Sequence, residues 1–334
     1  MPDMQLMRKK PSLPIVKYLG PPSSYTHQAA LQCVDHDSYD FQPEVSIPEI
    51  FESVQSGAAA LGVIPIENST NGPVILSLEL LADRQNQYPD INICKETYLN
   101  VNHYLLGRRF PRQVNDSPTM SGVCTPTSAT PLPLIPRSVP FCSLKHIKRL
   151  YSHPQAWGQC EVFLAAYLKN IDRIDTSSTS MAAQLARQDC TGTSAAIASK
   201  LASKVNNLDI LAEEIEDEQN NVTRFLVLCR GTGIKSGLSN KTRTMVSFKV
   251  QPENGALASV MQCFATSSLN LKSINSRPTK ETPFQYIFFL EFQGSLFNDP
   301  EDRVKDTLEA LQKYVEYWRV LGSWDDQLKP KSIR

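Results

Sequence analysis

Polar side chains that could bind or protonate a small anion stand at three points where an apolar run gives way to a helical pattern. Glu67 and Asn68 stand at one such junction in PIENS, Ser152 opens a second in SHPQAWGQC, and Ser178 begins a third in STSMAA. Hydroxyl and amide groups at the start of a helix can cap it, and with free backbone N–H groups they can bind a carboxylate. The sequence therefore predicts a polar site for a small anion.

Each of these residues also has a purely structural alternative. Asn68 and Ser69 can cap the following helix as well as bind a ligand, and Glu67 can serve as an acid if burial raises its pKa. Ser178 and Thr179 fit anion capture at the N-terminus of the helix that follows them. A charged carboxylate beside an anionic ligand would repel it, so Glu67 needs the protonated form to take part.

The charge and cysteine content argue against several other kinds of site. Lysine plus arginine and aspartate plus glutamate both number 34, which leaves no broad basic surface for nucleic acid or an anionic membrane. The eight cysteines form no CxxC pair and no zinc-type spacing with histidine, and no glycine-rich phosphate loop is present. We therefore expect no metal, no organic cofactor, no nucleic-acid partner and no membrane partner.

The same cysteines, together with the lack of a secretory apolar run after the N-terminal basic residues, predict reduced thiols and a cytoplasmic location.

The order of local patterns predicts the elements that position these side chains. From Ile15 to about Leu106, apolar runs alternate with helical patterns, as in IVKYLG followed by SYTHQAALQCV, which predicts a parallel α/β sheet. Such sheets bind ligands at the loops that leave the carboxyl ends of the strands. The alternation resumes from IKRLYS to TSAAIASKLAS and predicts a second α/β lobe. Residues 108–143, dense in Pro, Ser and Thr, predict a surface insertion that is partly disordered and dispensable for chemistry.

A third unit follows the segment GTGIKSGLSNK, whose composition is that of a flexible linker. After it come patterns for a strand, a helix, two strands, a helix and a strand. That βαββαβ order predicts a ferredoxin-like fold.

Six segments in series resemble the motifs of prephenate dehydratases. They are LGPPSSYTHQAA, PIENSTNGPV at 65–74, SHPQAWGQC at 152–160, STSMAA at 178–183, AAIAS at 195–199 and NVTRF at 221–225. The βαββαβ unit is similar to an ACT domain, and GAL at 255–257 and NSRP at 275–278 resemble its two phenylalanine-binding motifs. The chain departs from the family pattern at Ser23, where glycine is usual, and at Asn275, where glutamate is usual.

The resemblance implies an α/β catalytic region of two lobes of the periplasmic-binding type, with the substrate in the cleft between them. The implied boundaries are lobe I at about 14–100 and 210–230, lobe II at about 101–209, a linker at 231–241 and an ACT domain at 242–325. The lobes would be joined by crossing segments near 97–105 and 210–225.

The same resemblance implies an enzyme that converts prephenate to phenylpyruvate, water and carbon dioxide in L-phenylalanine biosynthesis. Aromatisation drives the reaction, so the protein must mainly stabilise the departing hydroxide and orient a dianion. The resemblance marks Thr223 as the donor to the leaving hydroxyl, and because its own hydroxyl is a very weak acid we expect a directed hydrogen bond rather than full proton transfer. The structural alternative for Thr223 is backbone bonding at a strand end.

The family motifs carry over to two groups of residues at the active site. The implied catalytic residues are Thr223, Glu67, Asn68, Ser152 and Gln159, and the implied substrate-binding residues are Ser24, Ser69, Gln155, Ser178, Thr179, Arg224 and Phe225. Arg224 could bind the pyruvyl carboxylate or pair with the acidic run EEIEDE upstream, and both possibilities stay open. His153 and His27 are expected to have structural roles, and Cys160 is expected to pack in the core.

L-phenylalanine is the implied allosteric inhibitor, bound between two chains of a homodimer or homotetramer. The implied contacts are Gly255, Ala256, Leu257, Asn275, Ser276, Arg277 and Pro278. Two other functions stay open, namely a dehydratase that prefers arogenate and a non-catalytic sensor of aromatic amino acids on the same fold. A fused chorismate mutase domain is not expected, since only about a dozen residues precede the first strand.

Overall fold

The computed structural model describes residues 13–109, 120, 122, 134–231 and 241–328. Most of the insertion predicted at 108–143 and most of the linker predicted at 231–241 lie outside the described residues.

The described elements group into three sheets with their covering helices. The strands are β1 (Ile15–Leu19), β2 (Asp40–Glu44), β3 (Leu61–Asn68), β4 (Gly72–Pro73), β5 (Ile91–Asn100), β6 (Tyr104–Gly107), β7 (Arg149–Ser152), β8 (Asp172–Asp175), β9 (Ser194–Ala198), β10 (Asp209–Ala212), β11 (Val222–Arg230), β12 (Thr242–Val250), β13 (Leu271–Pro278), β14 (Tyr286–Gln293) and β15 (Val315–Asp325). The helices are α1 (Tyr25–Cys33), α2 (Ile47–Gln55), α3 (Ile75–Ala82), α4 (Pro154–Gln159), α5 (Glu161–Tyr167), α6 (Thr179–Gln188), α7 (Lys200–Asn206), α8 (Ala256–Thr266) and α9 (Arg303–Leu311).

Lobe I is built on a sheet in the order β2-β1-β3-β11-β5, with β4 paired to β3. Its first three strands are parallel, whereas β11 returns from late in the chain and lies antiparallel between β3 and β5. Helix α2 buries Ile47, Ile50, Phe51 and Val54 against the sheet, a spacing that places all four on one helical face. This arrangement brings the end of β3 beside the start of β11.

Lobe II has a five-stranded sheet in the order β10-β6-β9-β7-β8. Strands β7, β8 and β9 are parallel, and β6 joins β9 antiparallel. The boundary expected at 210 was wrong by a few residues, because Asp209–Ala212 pairs with β6 of lobe II. The lobes are therefore joined by residues 101–103 and 213–221, which lie within the two crossing segments expected from the sequence.

The C-terminal unit, residues 242–325, is a four-stranded antiparallel sheet in the order β13-β14-β12-β15. Helices α8 and α9 cover one face through a core that includes Phe248, Phe264 and Leu308. The other face packs against lobe I, since Met245 and Trp324 share a buried cluster with lobe I residues. The predicted α/β fold, with two lobes and a βαββαβ unit, is confirmed. None of the described helices has both the length and the apolar character to cross a membrane.

Candidate active site

A cleft of about 970 Å³ lies between the two lobes and is bordered by both crossing segments. Of the twelve predicted active-site residues, seven line it: Ser24, Asn68, Gln155, Gln159, Ser178, Thr179 and Thr223. Five of the six sequence motifs therefore meet at one place, and only AAIAS at 195–199 contributes no lining residue. The other five predicted residues, Glu67, Ser69, Ser152, Arg224 and Phe225, do not line the cleft.

Thr223 and Asn68 form the centre of the lobe I wall. They stand opposite each other in the β3–β11 register, and the Asn68 amide nitrogen donates to the Thr223 hydroxyl oxygen at 2.9 Å. The same nitrogen donates to the Asn221 side-chain oxygen at 2.6 Å. The Asn68 side-chain oxygen accepts from the backbone N–H groups of Thr70 and Asn71, both at 3.0 Å. The amide of Asn68 is thus fixed in one orientation, with its nitrogen towards Thr223.

The bond from Asn68 determines what the Thr223 hydroxyl can do. A hydroxyl has one hydrogen to donate and two lone pairs to accept with. One lone pair is occupied by Asn68, and none of the described hydrogen bonds uses the hydrogen. The Thr223 hydroxyl is therefore available as a donor to a ligand in the cleft.

Two helix N-termini open on the cleft, one from each lobe. Ser24 caps α1 by accepting from the His27 N–H at 3.1 Å, and Ser178 caps α6 by accepting from the Met181 N–H at 3.1 Å. The first backbone N–H groups of a helix have no partner within it, and the helix dipole favours negative charge there. The cleft thus has two separated places for carboxylates.

The cleft has few full charges of its own. Of the residues whose positions are described, no lysine or arginine lines it. Glu44 is a lining carboxylate, and Lys17 neutralises it at 2.7 Å. A negatively charged ligand is therefore met by dipoles and hydroxyls rather than by guanidinium or ammonium groups.

His103 and Tyr25 also line the cleft, and neither was predicted from the sequence. The Nε2 of His103 lies 2.7 Å from the Gln159 side-chain oxygen, and its Nδ1 lies 3.1 Å from the Tyr25 hydroxyl. Burial lowers the pKa of His103 against the opposing effect of the Gln159 hydrogen bond, so the ring is neutral at pH 7. Since the Gln159 oxygen can only accept, the ring proton is on Nε2.

This contact orients Gln159, because its oxygen is held by His103 and its amide nitrogen is left to donate into the cleft. Tyr25 lies inside the first motif, SYTHQAA, and could have been chosen from it. His103 lies in the first crossing segment, where no sequence motif marked it.

Glu67, predicted as a possible acid, is exposed and points away from the cleft. Successive side chains of a strand face opposite sides, so with Asn68 in the cleft its neighbour Glu67 must face out. Ser152, also predicted to be catalytic, is fully buried beneath the cleft wall and donates to the Ile197 carbonyl of β9 at 3.1 Å. Ser69 donates to the Asn220 carbonyl at 2.8 Å and so ties β3 to the start of β11.

Arg224 and Phe225, both predicted to bind the substrate, do not line the cleft. The Arg224 guanidinium forms ion pairs with Glu96 and Glu291, so neither the pyruvyl carboxylate nor the acidic run EEIEDE is its partner. Phe225 is 1% exposed in the core of lobe I, against Val16 and its neighbours. The predicted charged anchor for the substrate is therefore missing from the cleft.

Three residues expected to be structural have structural contacts. His153 caps α4 through its ring, which accepts from the Gln155 N–H at 3.3 Å. His27 stacks on Tyr18 with ring centroids 4.5 Å apart, and Cys160 is fully buried in the lobe II core.

The expected phenylalanine motifs lie at one end of the C-terminal sheet. Lys249 of β12 and Arg277 of β13 both pair with Ile287 of β14, so the GAL segment after β12 and the end of NSRP share that edge. Gly255 caps α8 with φ of +84°, a conformation that glycine adopts freely, and a side chain there would meet no described atom within 4 Å.

NSRP also contacts lobe I directly. The Arg277 guanidinium lies 2.7 Å from Glu79 of α3, and the Pro278 carbonyl accepts from Arg84 at 2.6 Å. Burial would raise the pKa of Glu79, but Lys280, Arg277 and Arg84 together lower it to about 2. Arg277, predicted to contact phenylalanine, is therefore engaged with the catalytic region in this chain.

Among the histidine, cysteine, aspartate and glutamate side chains of the described segments, no group of three or more is arranged to hold a metal ion. The expectation of no metal stays a prediction that only an assay can test.

Comparison with known proteins matches this chain to one family. The family model described as prephenate dehydratase matches residues 16–232, which include both lobes and the cleft between them. A bifunctional chorismate mutase/prephenate dehydratase of Aquifex aeolicus is 30% identical over 313 residues, covering 94% of this chain and 74% of the relative.

Two further relatives bear on the substrate and on the ligand of the C-terminal unit. An arogenate dehydratase/prephenate dehydratase of Arabidopsis thaliana is 29% identical, covering 92% of this chain and 71% of the relative. The crystal structure of prephenate dehydratase from Arthrobacter aurescens in complex with L-Phe is 27% identical with a TM-score of 0.74, covering 93% of this chain and 90% of that one.

Proposed function

Since the chain belongs to the prephenate dehydratase family and is an enzyme of that class, we propose that it converts prephenate to phenylpyruvate in the cleft between its lobes. In this reaction the bond to the ring carboxylate breaks and releases carbon dioxide. Its electron pair enters the ring, the carbon–oxygen bond of the ring hydroxyl breaks, and the departing hydroxide takes up a proton. The protein must hold a dianion and stabilise the leaving oxygen.

The observation that carries the mechanism is the bond from the Asn68 amide nitrogen to the Thr223 hydroxyl oxygen at 2.9 Å. It leaves the hydroxyl hydrogen of Thr223 free to donate into the cleft. A preorganised donor aimed at the atom where negative charge develops lowers the barrier without any reorganisation during the reaction. We assign Thr223 as the donor to the leaving hydroxide and Asn68 as the residue that orients it.

The two carboxylates of prephenate match the two helix N-termini in the cleft. The α1 terminus at Ser24 belongs to lobe I and the α6 terminus at Ser178 and Thr179 to lobe II. Backbone N–H groups and hydroxyls can bind both carboxylates without a charged side chain. Gln159, with its oxygen held by His103, supplies a further amide donor. Gln155 lines the same wall and completes this set.

The test of the assignment is the pair Thr223→Val and Thr223→Ser, assayed for phenylpyruvate formation from prephenate. Valine removes the hydroxyl at nearly constant volume and should lower kcat by about 100-fold or more, as for loss of one oxyanion-type donor. Serine keeps the hydroxyl and should retain most of the activity. A folded valine variant with near-normal kcat would contradict the role given to Thr223.

Arogenate is the second candidate substrate, because a relative named for both activities matches this chain. Arogenate carries an ammonium group where prephenate carries a keto group, so its site needs an unpaired acceptor. Glu44 is a carboxylate in the cleft wall, but Lys17 already neutralises it. This ion pair favours prephenate, and kcat/KM measured for both substrates would decide between them.

We further propose that L-phenylalanine binds the C-terminal unit at GAL and NSRP, between two chains of a homodimer or homotetramer, and inhibits the enzyme. The proposal is supported by the Arthrobacter relative that was crystallised with L-Phe and by the open space at Gly255. Gly255→Asn fills that space with a residue that tolerates a left-handed backbone. Calorimetry should show weaker phenylalanine binding to the variant, with inhibition weakened in parallel. Equal binding and inhibition in both proteins would place the regulatory site elsewhere.

A further inference from the structure

Arg224 stands next to the proposed donor Thr223 but reaches in the opposite direction, into the contact between lobe I and the C-terminal unit. Its two terminal nitrogens donate to the two carboxylate oxygens of Glu291 in β14, both at 2.8 Å. Its Nε donates to Glu96 of β5 at 2.8 Å. All three side chains are buried, with exposed fractions of 7%, 3% and 0%. A planar, bidentate pair of this kind fixes both distance and orientation.

The cluster is closed by further residues of the C-terminal segment. Arg243 of β12 donates to Glu291 at 3.3 Å and to Asp326 at 2.9 Å. The backbone N–H of Gln327 donates to Glu96 at 3.0 Å. The C-terminal segment therefore contributes a carboxylate, a guanidinium and backbone around an arginine that belongs to the catalytic strand.

The strand geometry connects this cluster to the cleft. In β11, Thr223 faces Asn68 and the cleft, so Arg224 as the next residue must face the other side. A bulge between Arg224 and Phe225 shifts the register with β3 immediately after this pair. Bulges re-aim nearby side chains and loosen the local ladder, so the position of Thr223 depends more on its neighbours than it would in a regular strand.

We propose that Arg224 and Glu291 are positioning residues for the Thr223 hydroxyl, so that the C-terminal unit takes part in holding the active site in its productive geometry. This inference rests on the proposed function of the cleft. Glu291 pairs with Ser273 in β13, and Asn275 of the NSRP motif pairs two residues away with Phe289. A displacement of β13, which carries the NSRP motif, would therefore be transmitted to Thr223 through β14, Glu291 and Arg224.

The test compares Glu291→Gln with a matched control, Arg319→Gln. Arg319 of β15 also ties the C-terminal unit to lobe I, through Asp83 at 3.4 Å and the Tyr88 carbonyl at 3.1 Å, but none of these partners lines the cleft. Glu291→Gln should lower kcat by about tenfold or more with KM nearly unchanged, since misplacement of a catalytic group acts on the chemical step. Arg319→Gln should lower the melting temperature while kcat stays within about twofold of wild type.

Arg224→Lys is the second variant and keeps the charge but not the bidentate geometry. It should show an intermediate loss of kcat, and it replaces Glu291→Gln if that protein does not fold. Equal losses of kcat in the Glu291 and Arg319 variants would overturn the proposal, as would a folded Glu291→Gln or Arg224→Lys protein with wild-type kcat.

Amide hydrogen exchange, followed by mass spectrometry on peptides covering residues 220–228, gives a readout that does not depend on the reaction. Exchange there should rise in Glu291→Gln, or in Arg224→Lys where that variant takes its place, but not in Arg319→Gln. If wild-type protein does not turn over prephenate, the proposed function fails and the exchange data still decide this inference. Unchanged exchange around Thr223 in the cluster variant would refute it.

Discussion

Replacing Asn68 by aspartate should strongly lower kcat, because both hydrogen bonds that its amide nitrogen donates are lost while the outline of the side chain is unchanged. Asn68 donates to Thr223 at 2.9 Å and to Asn221 at 2.6 Å. Aspartate has the same outline but only accepts hydrogen bonds when ionised. The Thr223 hydroxyl would then turn its hydrogen towards Asp at position 68 and withdraw it from the cleft.

The expected magnitude follows from the number of donors lost. Removing one donor to a developing negative charge costs about 100- to 1,000-fold in kcat, or about 2.7–4 kcal/mol. The backbone N–H groups of Thr70 and Asn71, each 3.0 Å from the Asn68 side-chain oxygen, keep their acceptor in the variant. The loop after β3 should therefore stay in place, and the melting temperature should change little.

The assay is steady-state phenylpyruvate formation by wild type, Asn68→Asp, Thr223→Val and the double variant. Because both single changes remove the same hydrogen from the cleft, their effects should not add, and the double variant should match the worse single variant. Gln155→Glu is the matched control, since it adds the same charge to an exposed part of the cleft wall. It should raise KM through repulsion of the dianion and affect kcat much less.

Two results would refute the reasoning. One is a folded Asn68→Asp protein whose kcat is close to that of wild type. The other is a double variant whose loss is the product of the two single losses, because the two residues would then act independently.

Three predictions concern stability and are measured by denaturant unfolding. Ser23 has φ of +71° and a buried hydroxyl without a described partner. Ser23→Gly should therefore raise the free energy of unfolding by about 0.5–1 kcal/mol. No gain would show that the turn is not strained. A Cβ at Gly322 would lie 2.1 Å from the Ile93 carbonyl oxygen, so Gly322→Ala should lower the free energy of unfolding by about 3 kcal/mol. Gly158→Ala is the control, because a Cβ there meets nothing within 4 Å and should not lower the free energy of unfolding. Equal effects would contradict the close approach of the C-terminal unit to lobe I. Burial raises the pKa of Asp217 from 3.8 to about 6, so the folded protein holds this proton more tightly than the unfolded chain. The free energy of unfolding therefore falls as pH rises from 3.8 to about 6. Asp217→Asn should flatten this pH dependence and raise the free energy of unfolding above pH 7 by about 1 kcal/mol, a value reduced for the solvent screening of a half-exposed group. Identical pH profiles for the variant and wild type would refute this prediction.

Much of the architecture could be predicted because it depends on local patterns. Alternating apolar runs and helical spacings determine where strands and helices form, and the three units appear in the expected order. The departure at Ser23 also has a local meaning, since its left-handed backbone is the conformation in which the usual glycine is free of strain. The boundary at 210 could not be predicted, because β10 is assigned to lobe II only by its pairing with β6.

The residues of the site likewise fall into those that the sequence predicted and those that only the tertiary structure revealed. The resemblance to the family motifs predicted Ser24, Asn68, Gln159, Ser178 and Thr223 as site residues, and all five line the cleft. Ser24, Asn68 and Ser178 also have a local signature, because they stand where a strand gives way to a helix, at the edge where such sheets bind ligands.

Only the tertiary structure decided which neighbour of each pair faces the cleft. Asn68 and Thr223 point inward while Glu67 and Arg224 point outward, a choice set by how β11 pairs with β3 across more than 150 residues of sequence. Glu291, the partner of Arg224, lies in the C-terminal unit. His103 of the first crossing segment contacts Gln159 of lobe II. A single sequence specifies the alternation along a strand, but the face that is buried and the partner that meets it arise only when distant strands come together.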